Sequence, residues 1–276
     1  MPRCTVRRVL GPVLDALFPR RCVGCGRGPW PLCTACAAEV VELAPPWCER
    51  CGAPAARATS RCPDCPPQPI ALARSAFLFD GPVRAAVHRL KFSGWRAVAE
   101  ALGEAMAIAW TRGGVDPDLR VDVVTWVPLS RRRAAARGFD QARALAVVAA
   151  ARLDLPVAPL LRREGDPGPQ ARRGREERRA VMAGRFRARS EPPPRVLLVD
   201  DVLTTGATAA SCADALVRAG GGRVLLLTAA RALPGRAGAY TRGGLAPGSV
   251  VAPGSGSPVV DASRGRNDPR KATLGR

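Results

Sequence analysis

The sequence predicts an α/β protein built on a parallel sheet and preceded by a small metal-binding module. Two observations carry this prediction. Continuously apolar strands alternate with helical segments after residue 70, and four C-x-x-C pairs crowd the region before it. Strands that are apolar on both faces are typical of parallel sheets covered by helices on each side. With 276 residues, of which 47% are hydrophobic, the chain is long enough to form a buried core.

The first 21 residues predict a short amphipathic helix. Val9 to Phe18 is mostly apolar, but Pro12 and Asp15 interrupt it, and Pro19-Arg20-Arg21 follows where a signal peptide has small residues. No stretch of the chain reaches the roughly 20 apolar residues that cross a bilayer. These features predict a cytoplasmic protein without membrane insertion.

Eight of the ten cysteines form C-x-x-C pairs in a module over residues 22–66. Two such turns complete the tetrahedral S₄ shell that Zn²⁺ prefers, so the pairs predict two structural zinc ions. The predicted ligands are Cys22, Cys25, Cys33, Cys36, Cys48, Cys51, Cys62 and Cys65. Sequential pairing of the turns is the simpler arrangement, and a crossed pairing stays open. A redox motif or disulfides are the competing interpretations, which a cytoplasmic chain with no βαβ pattern around these pairs disfavours.

Strand and helix patterns alternate after a stiff linker, Pro66 to Pro69. Residues 74–80 have strand character, and a helical stretch then extends from Gly81 to about Trp110 with a break at Ser93-Gly94. Further strands are predicted at residues 121–127, 157–161, 195–199 and 223–228, and further helices at residues 142–153 and 208–219. Residues 162–184 predict a long mobile loop. Residues 237–276, rich in Gly, Pro and Ser, predict a disordered tail.

The positive charge is large and concentrated. The formal net charge is +20, from 43 basic and 23 acidic residues, and only Lys91 and Lys271 are lysines. The segment from Arg162 to Arg189 contains ten arginines and four acidic residues. Such a field favours a polyphosphate or nucleic-acid partner, with a solvated basic surface as the plain alternative.

The segment from Val196 to Thr208 carries the strongest functional signal. An apolar strand ends in Asp200-Asp201, and the turn Thr204-Thr205-Gly206 then opens a helix. At the carboxyl end of a parallel strand, the N–H groups of such a turn converge on a phosphate that the helix N-terminus stabilises. The two carboxylates can accept hydrogen bonds from sugar hydroxyls and hold Mg²⁺ through water. The segment therefore predicts one site for phosphate, sugar and metal, with an ordinary capped helix as the alternative.

This segment resembles the signature with which type I phosphoribosyltransferases bind phosphoribosyl pyrophosphate (PRPP). Together with the cysteine module, the chain is similar to the ComF family of late-competence proteins, which carry an N-terminal double zinc ribbon. The similarity extends from about Leu14 to Leu233 and includes Leu90-Lys91-Phe92-Ser93-Gly94 and Arg137-Gly138-Phe139-Asp140-Gln141. It implies a type I phosphoribosyltransferase fold over residues 70–236.

The resemblance also implies roles for individual residues. Asp200 and Asp201 would bind the ribose hydroxyls of PRPP at the catalytic centre. Its 5′-phosphate would be held by Thr204, Thr205, Gly206, Ala207 and Thr208. Ser130 and Arg131 would lie near the pyrophosphate, over which the basic loop at residues 162–179 would close. Lys91 is a candidate for substrate contact, with a solvated helix end as the alternative.

The resemblance favours one functional hypothesis and leaves two others open. The favoured one is Mg²⁺-dependent transfer of the phosphoribosyl group to an unknown acceptor. The second, which the family's part in DNA uptake and natural transformation implies, is a PRPP-responsive protein that binds single-stranded nucleic acid. The third is a PRPP sensor that recruits partners such as other competence or recombination proteins. Acceptor-dependent loss of PRPP would favour the first, and a steep salt dependence of single-strand binding would favour the second.

Overall fold

The computed structural model describes residues 21–93, 96–112, 120–164 and 185–233, together with four two-residue strands between residues 240 and 261. The cysteine module comes first and consists of helix α1 (Thr34–Glu39), turns and isolated β-bridges. Apart from Arg21, the predicted leading helix lies outside the described residues. None of the described helices is long and apolar enough to cross a membrane.

A four-stranded parallel sheet with the strand order β1-β6-β5-β2 follows the module. In chain order the elements are β1 (Ile70–Leu78), α2 (Gly81–Ser93), α3 (Arg96–Arg112), β2 (Val123–Trp126), α4 (Arg131–Arg137), α5 (Gln141–Leu153), β3 (Leu161–Arg163), β4 (Phe186–Ala188), β5 (Arg195–Leu203), α6 (Ala207–Arg218) and β6 (Arg223–Arg231). Strands β3 and β4 form a separate antiparallel pair. The predicted fold class, a parallel α/β sheet behind a small cysteine module, is confirmed.

The sheet is buried on both faces. Successive residues of a strand point to opposite sides, so Leu197 and Val199 of β5 face the layer of α2, α3 and α5, whereas Val196 and Leu198 face α6 and the β3–β4 pair. Cys48 and Cys51 belong to this second core cluster and are fully buried. The second half of the cysteine module is therefore part of the core of the α/β domain.

Strand β5 is longer than its apolar pattern predicts. The prediction ends at Val199, whereas the strand continues to Leu203 because Asp200 and Val202 pair with Thr228 and Ala230 of β6. Asp200 and Asp201 thus lie within the strand, and their side chains point to opposite faces of the sheet.

Three other predicted segments either differ from the structure or lie partly outside the described residues. The strand expected at residues 157–161 begins only at Leu161, and Val157 makes a single parallel bridge to Val124. The expected loop at residues 162–184 starts inside β3, and residues 165–184 lie outside the described part. In the predicted tail, the described residues form two antiparallel pairs of two-residue strands, β7 (Tyr240–Thr241) with β8 (Gly244–Leu245) and β9 (Ser249–Val250) with β10 (Val260–Asp261).

Candidate functional site

The eight predicted cysteines form two groups of four, and within each group the Sγ atoms lie within 4.8 Å of one another. The Sγ–Sγ distances include 3.8 Å for Cys25–Cys33, 3.6 Å for Cys48–Cys65 and 3.5 Å for Cys51–Cys62. Zn–S bonds of about 2.3 Å give tetrahedron edges of about 3.8 Å, so each group has the size of an S₄ zinc shell. The groups support two closed, structural zinc sites, and the C-x-x-C pairs combine sequentially.

Of the two acidic residues near the end of β5, Asp201 is the one with side-chain partners from other elements. It is only 6% exposed, and its Oδ1 lies 2.8 Å from Nζ of Lys91 at the end of α2. Gln141 donates from Nε2 to its Oδ2 at 3.1 Å. Asp200 points to the other face of the sheet, and its Oδ1 accepts from the N–H of Asp201 at 2.8 Å. Lys91, in the last turn of α2, is therefore paired with Asp201, and its side chain stays partly exposed.

Gln141 contributes a buried acceptor for which the described part of the chain supplies no donor. Asp140 caps α5 by accepting from the N–H of Arg143 at 3.2 Å, which fixes the first turn and the place of Gln141. The Gln141 side chain is buried, and among the described residues its Oε1 has no hydrogen-bond donor. An unsatisfied buried acceptor costs about 1–3 kcal/mol. A ligand hydroxyl or a metal-bound water beside Asp201 would satisfy it.

The surroundings of Asp200 raise the pKa of its carboxyl group. Burial, and secondly the negative charge of Asp201, raise the pKa of Asp200 to about 8. Asp200 is therefore largely protonated near neutral pH. A divalent cation bound at the pair would favour the deprotonated form.

Asp200→Asn is expected to flatten the dependence of stability on pH. Because the pKa of Asp200 is raised on folding, the folded state holds this proton more tightly than the unfolded state. The free energy of unfolding therefore falls as pH rises between the ordinary value of 3.8 and about 8. The asparagine variant lacks this loss and gains stability relative to the wild type between about pH 5 and about pH 9. Denaturant unfolding of the wild type and of Asp200→Asn at these two pH values measures the change. An equal pH dependence of the free energy of unfolding in the two proteins would contradict the prediction.

The loop between β5 and α6 has the form of an anion cradle. Gly206, at the N-cap of α6, has a φ of 75°, and Thr204 and Thr205 are exposed. Together with Asp200 and Thr228, residues 202–209 line a cavity of about 50 Å³. The first N–H groups of a helix have no intrahelical acceptor and favour an anion at this position.

The cysteine module supports this loop from outside. A Cβ at position 206 would lie 2.7 Å from Cβ of Pro66, the residue after the last zinc ligand. Glycine is therefore required here by its left-handed backbone and by the close approach of Pro66. A cleft of about 540 Å³ lies between residues 61–68 and the start of α6. The sequence contains no local signal for this contact.

The predicted pyrophosphate residues follow β2. Ser130 caps α4 by accepting from the N–H of Arg133 at 3.3 Å and is buried. Strand β2 pairs with β5 in parallel, so the carboxyl ends of both strands lie at one rim of the sheet. The side chain of Arg131 and most of the basic loop at residues 162–179 lie outside the described part.

Comparisons with known proteins bear on both parts of the chain. Residues 13–66 match the double zinc ribbon domain family. The DNA utilization protein YhgH of Escherichia coli K12 is 27% identical over 219 residues, covering 75% of this chain and 92% of the relative. Its counterpart in Salmonella typhimurium is 29% identical over 217 residues, covering 74% and 92%.

A solved structure gives a weaker likeness. The glutamine PRPP amidotransferase from B. subtilis, complexed with ADP and GMP, is 21% identical with a TM-score of 0.33. The match covers 48% of this chain and 26% of the solved one, so the chain spans about a quarter of that enzyme.

The similarity to YhgH is longer than the segment from residue 70 to 236, so it includes more than the α/β domain. The match covers about three quarters of the chain and is therefore more than the likeness of a single motif. The chain therefore carries an N-terminal double zinc ribbon and is similar over about three quarters of its length to YhgH, in agreement with its resemblance to the ComF family.

Proposed function

We propose that the protein binds PRPP together with Mg²⁺ and transfers its phosphoribosyl group to an acceptor, in a process linked to DNA uptake. One observation carries the proposal. Asp201, held by Lys91 and Gln141, lies directly ahead of a cradle lined by helix N–H groups. A ligand that fits must offer hydroxyls to a carboxylate and a phosphate to the cradle, and a ribose 5-phosphate does both.

Different residues of the chain would bind different parts of the substrate. The 5′-phosphate would be held by Thr204, Thr205, Gly206, Ala207 and Thr208. Asp201 would accept from the ribose hydroxyls, and the unpartnered Oε1 of Gln141 offers a further acceptor beside it. Lys91 would orient Asp201 from its present position.

The acid pair and the unpartnered Gln141 oxygen also suit a hydrated Mg²⁺, which prefers carboxylate and carbonyl oxygens and keeps several waters. Asp200 and Asp201 would hold it through those waters. When bound, Mg²⁺ neutralises negative charge on the pyrophosphate. Ser130 and Arg131, at the same rim of the sheet, would lie beside that group.

In the transfer itself, the bond from C1 of the ribose to oxygen breaks, and pyrophosphate leaves with the electron pair. The acceptor then forms a bond to C1 with its own lone pair and releases its proton. The positive charge that develops on the sugar is stabilised by the nearby carboxylates, and basic side chains stabilise the leaving group.

The charge of the chain favours a second candidate function, a non-catalytic PRPP-responsive protein that binds single-stranded nucleic acid. A net charge of +20 is typical of proteins that bind nucleic acid, and the relatives are named DNA utilization proteins. Competence or recombination proteins would be its partners. Eight thiolate ligands suit the reducing cytoplasm, where we place the protein in either case.

Release of pyrophosphate from PRPP tests the transferase function. The protein is incubated with PRPP and Mg²⁺ alone, with a panel of nucleobases, and with single-stranded DNA, and Asp201→Asn serves as the matched control. We expect release that depends on one acceptor and is absent in the control. Binding of PRPP without release under every condition would contradict transfer and favour the second candidate.

A further inference from the structure

We propose that Arg231 is a positioning residue that ties the second zinc centre, formed by Cys48, Cys51, Cys62 and Cys65, to the phosphate loop at residues 204–208. The proposal rests on the proposed function in one respect, because one of its readouts is the affinity for PRPP. It gives the zinc module a role in that site. The second centre holds the phosphate loop in its binding shape although no zinc ligand belongs to the loop.

Arg231 is a buried cation that faces the metal centre. It is the last residue of β6 and is 1% exposed. Its Nη1 donates to the carbonyl of Cys51 at 3.0 Å, and its Nη2 donates to the carbonyl of Asp64. Within the described part of the chain, no carboxylate lies at salt-bridge distance from it. Its charge must therefore be compensated by other groups.

Arg74 is a second buried cation at the same centre. It lies in β1, is 5% exposed, and donates from Nη1 to the carbonyl of Glu49 at 2.8 Å. Its guanidinium carbon is 5.0 Å from the centre of the Trp47 ring. Four thiolates around Zn²⁺ leave two negative charges in excess, which two guanidiniums balance. Because an uncompensated buried charge is strongly unfavourable, the metal centre and the two arginines stabilise each other.

The phosphate loop is held between Arg231 and the last zinc ligand. In the β5–β6 register, Arg231 lies opposite Leu203, the residue before the loop, and the N–H of Ala232 donates to the Leu203 carbonyl at 2.9 Å. From the other side, Pro66, which follows Cys65, packs against Gly206. A shift of the second centre would therefore displace both supports of the cradle.

The first zinc centre offers an internal control. Its ligand Cys25 is exposed, and Arg89 of α2 donates to the carbonyls of Val23, at 2.8 Å, and Gly24. These described contacts lead to α2 and not to the loop. Loss of the first ion should therefore leave the cradle in place.

Arg231→Met and Arg231→Lys, in the full chain purified with zinc, test the proposal. One readout is the rate of zinc release to a chromogenic chelator, and the other is the Kd for PRPP with Mg²⁺ by calorimetry. We expect Arg231→Met to release one of its two ions at least about tenfold faster and to bind PRPP at least about tenfold more weakly. Arg231→Lys keeps the charge and should retain both ions like the wild type. Cys25→Ser, which loses the first ion, should release its remaining ion at the wild-type rate.

Several outcomes would overturn the proposal. One is an Arg231→Met protein with wild-type zinc release, and another is an Arg231→Met protein that releases zinc faster but binds PRPP as tightly as the wild type. If Arg231→Met does not fold, rapid zinc loss from Arg231→Lys contradicts the charge compensation. If the wild type binds no PRPP, the proposed function fails, and the zinc-release rates still decide whether Arg231 stabilises the second centre.

Discussion

Asp201→Asn is expected to weaken PRPP binding about a hundredfold or more while the protein stays folded. The substitution keeps the shape of the side chain and removes the charge that pairs with Lys91 at 2.8 Å. It also replaces one carboxylate acceptor with an amide donor at the place proposed for the ribose hydroxyls, in a site where Asp201 is nearly buried. Isothermal titration with PRPP and Mg²⁺ measures the loss.

Asp154→Asn is the matched control for this experiment. Asp154 lies at the C-cap of α5 in the left-handed backbone region, which asparagine tolerates as well as aspartate does. It changes the net charge by the same amount and leaves the acid pair intact. Equal affinities of Asp201→Asn and Asp154→Asn for PRPP would refute the site.

Cys51→Ala is expected to lower the free energy of unfolding by at least about 4 kcal/mol. The residue is fully buried in the core cluster beneath the sheet, so the variant loses a zinc ion and leaves Arg74 and Arg231 without their compensating charge. Native mass spectrometry reports the metal content, and denaturant unfolding reports the stability.

Cys212→Ala is the control that separates the effect of losing zinc from the effect of losing a buried side chain. Cys212 is also fully buried in the same core cluster but belongs to neither group of zinc ligands. Its truncation to alanine also removes one Sγ atom and should lower the free energy of unfolding by about 1 kcal/mol. Comparable destabilisation by the two variants, with two zinc ions bound in each, would contradict the account of the second centre.

Local patterns predict most of the fold because they reflect local physics. The C-x-x-C spacing places two thiolates on one turn and predicts the eight ligands, whereas the structure decides that consecutive pairs combine. The apolar run of β5 and the Thr-Thr-Gly turn likewise locate the loop before any long-range contact is considered. Helix α4 has boundary signals too, a serine cap at Ser130 and a left-handed glycine at Gly138. The arginine-rich sequence of α4 has no apolar stripe, so these boundary signals alone do not predict the helix.

The rest of the site depends on contacts that no local pattern encodes. Gln141 reaches Asp201 across 60 positions of the chain, and Arg231 reaches the Cys51 carbonyl across 180. Gly206 is explicable by its turn alone, yet its contact with Pro66 becomes visible only when the module packs on the sheet. The family motif draws attention to Lys91, but only the structure gives it a partner.

A crystal structure of the zinc-loaded protein with PRPP and Mg²⁺ tests the central claim most directly. We expect the 5′-phosphate to lie within hydrogen-bond distance of the N–H groups of residues 205–208, and a ribose hydroxyl to donate to Asp201. Gln141 Oε1 should accept from the ligand or from a metal-bound water. A ligand bound elsewhere on the chain, with the cradle empty and no ligand hydroxyl at Asp201, would contradict the proposed site.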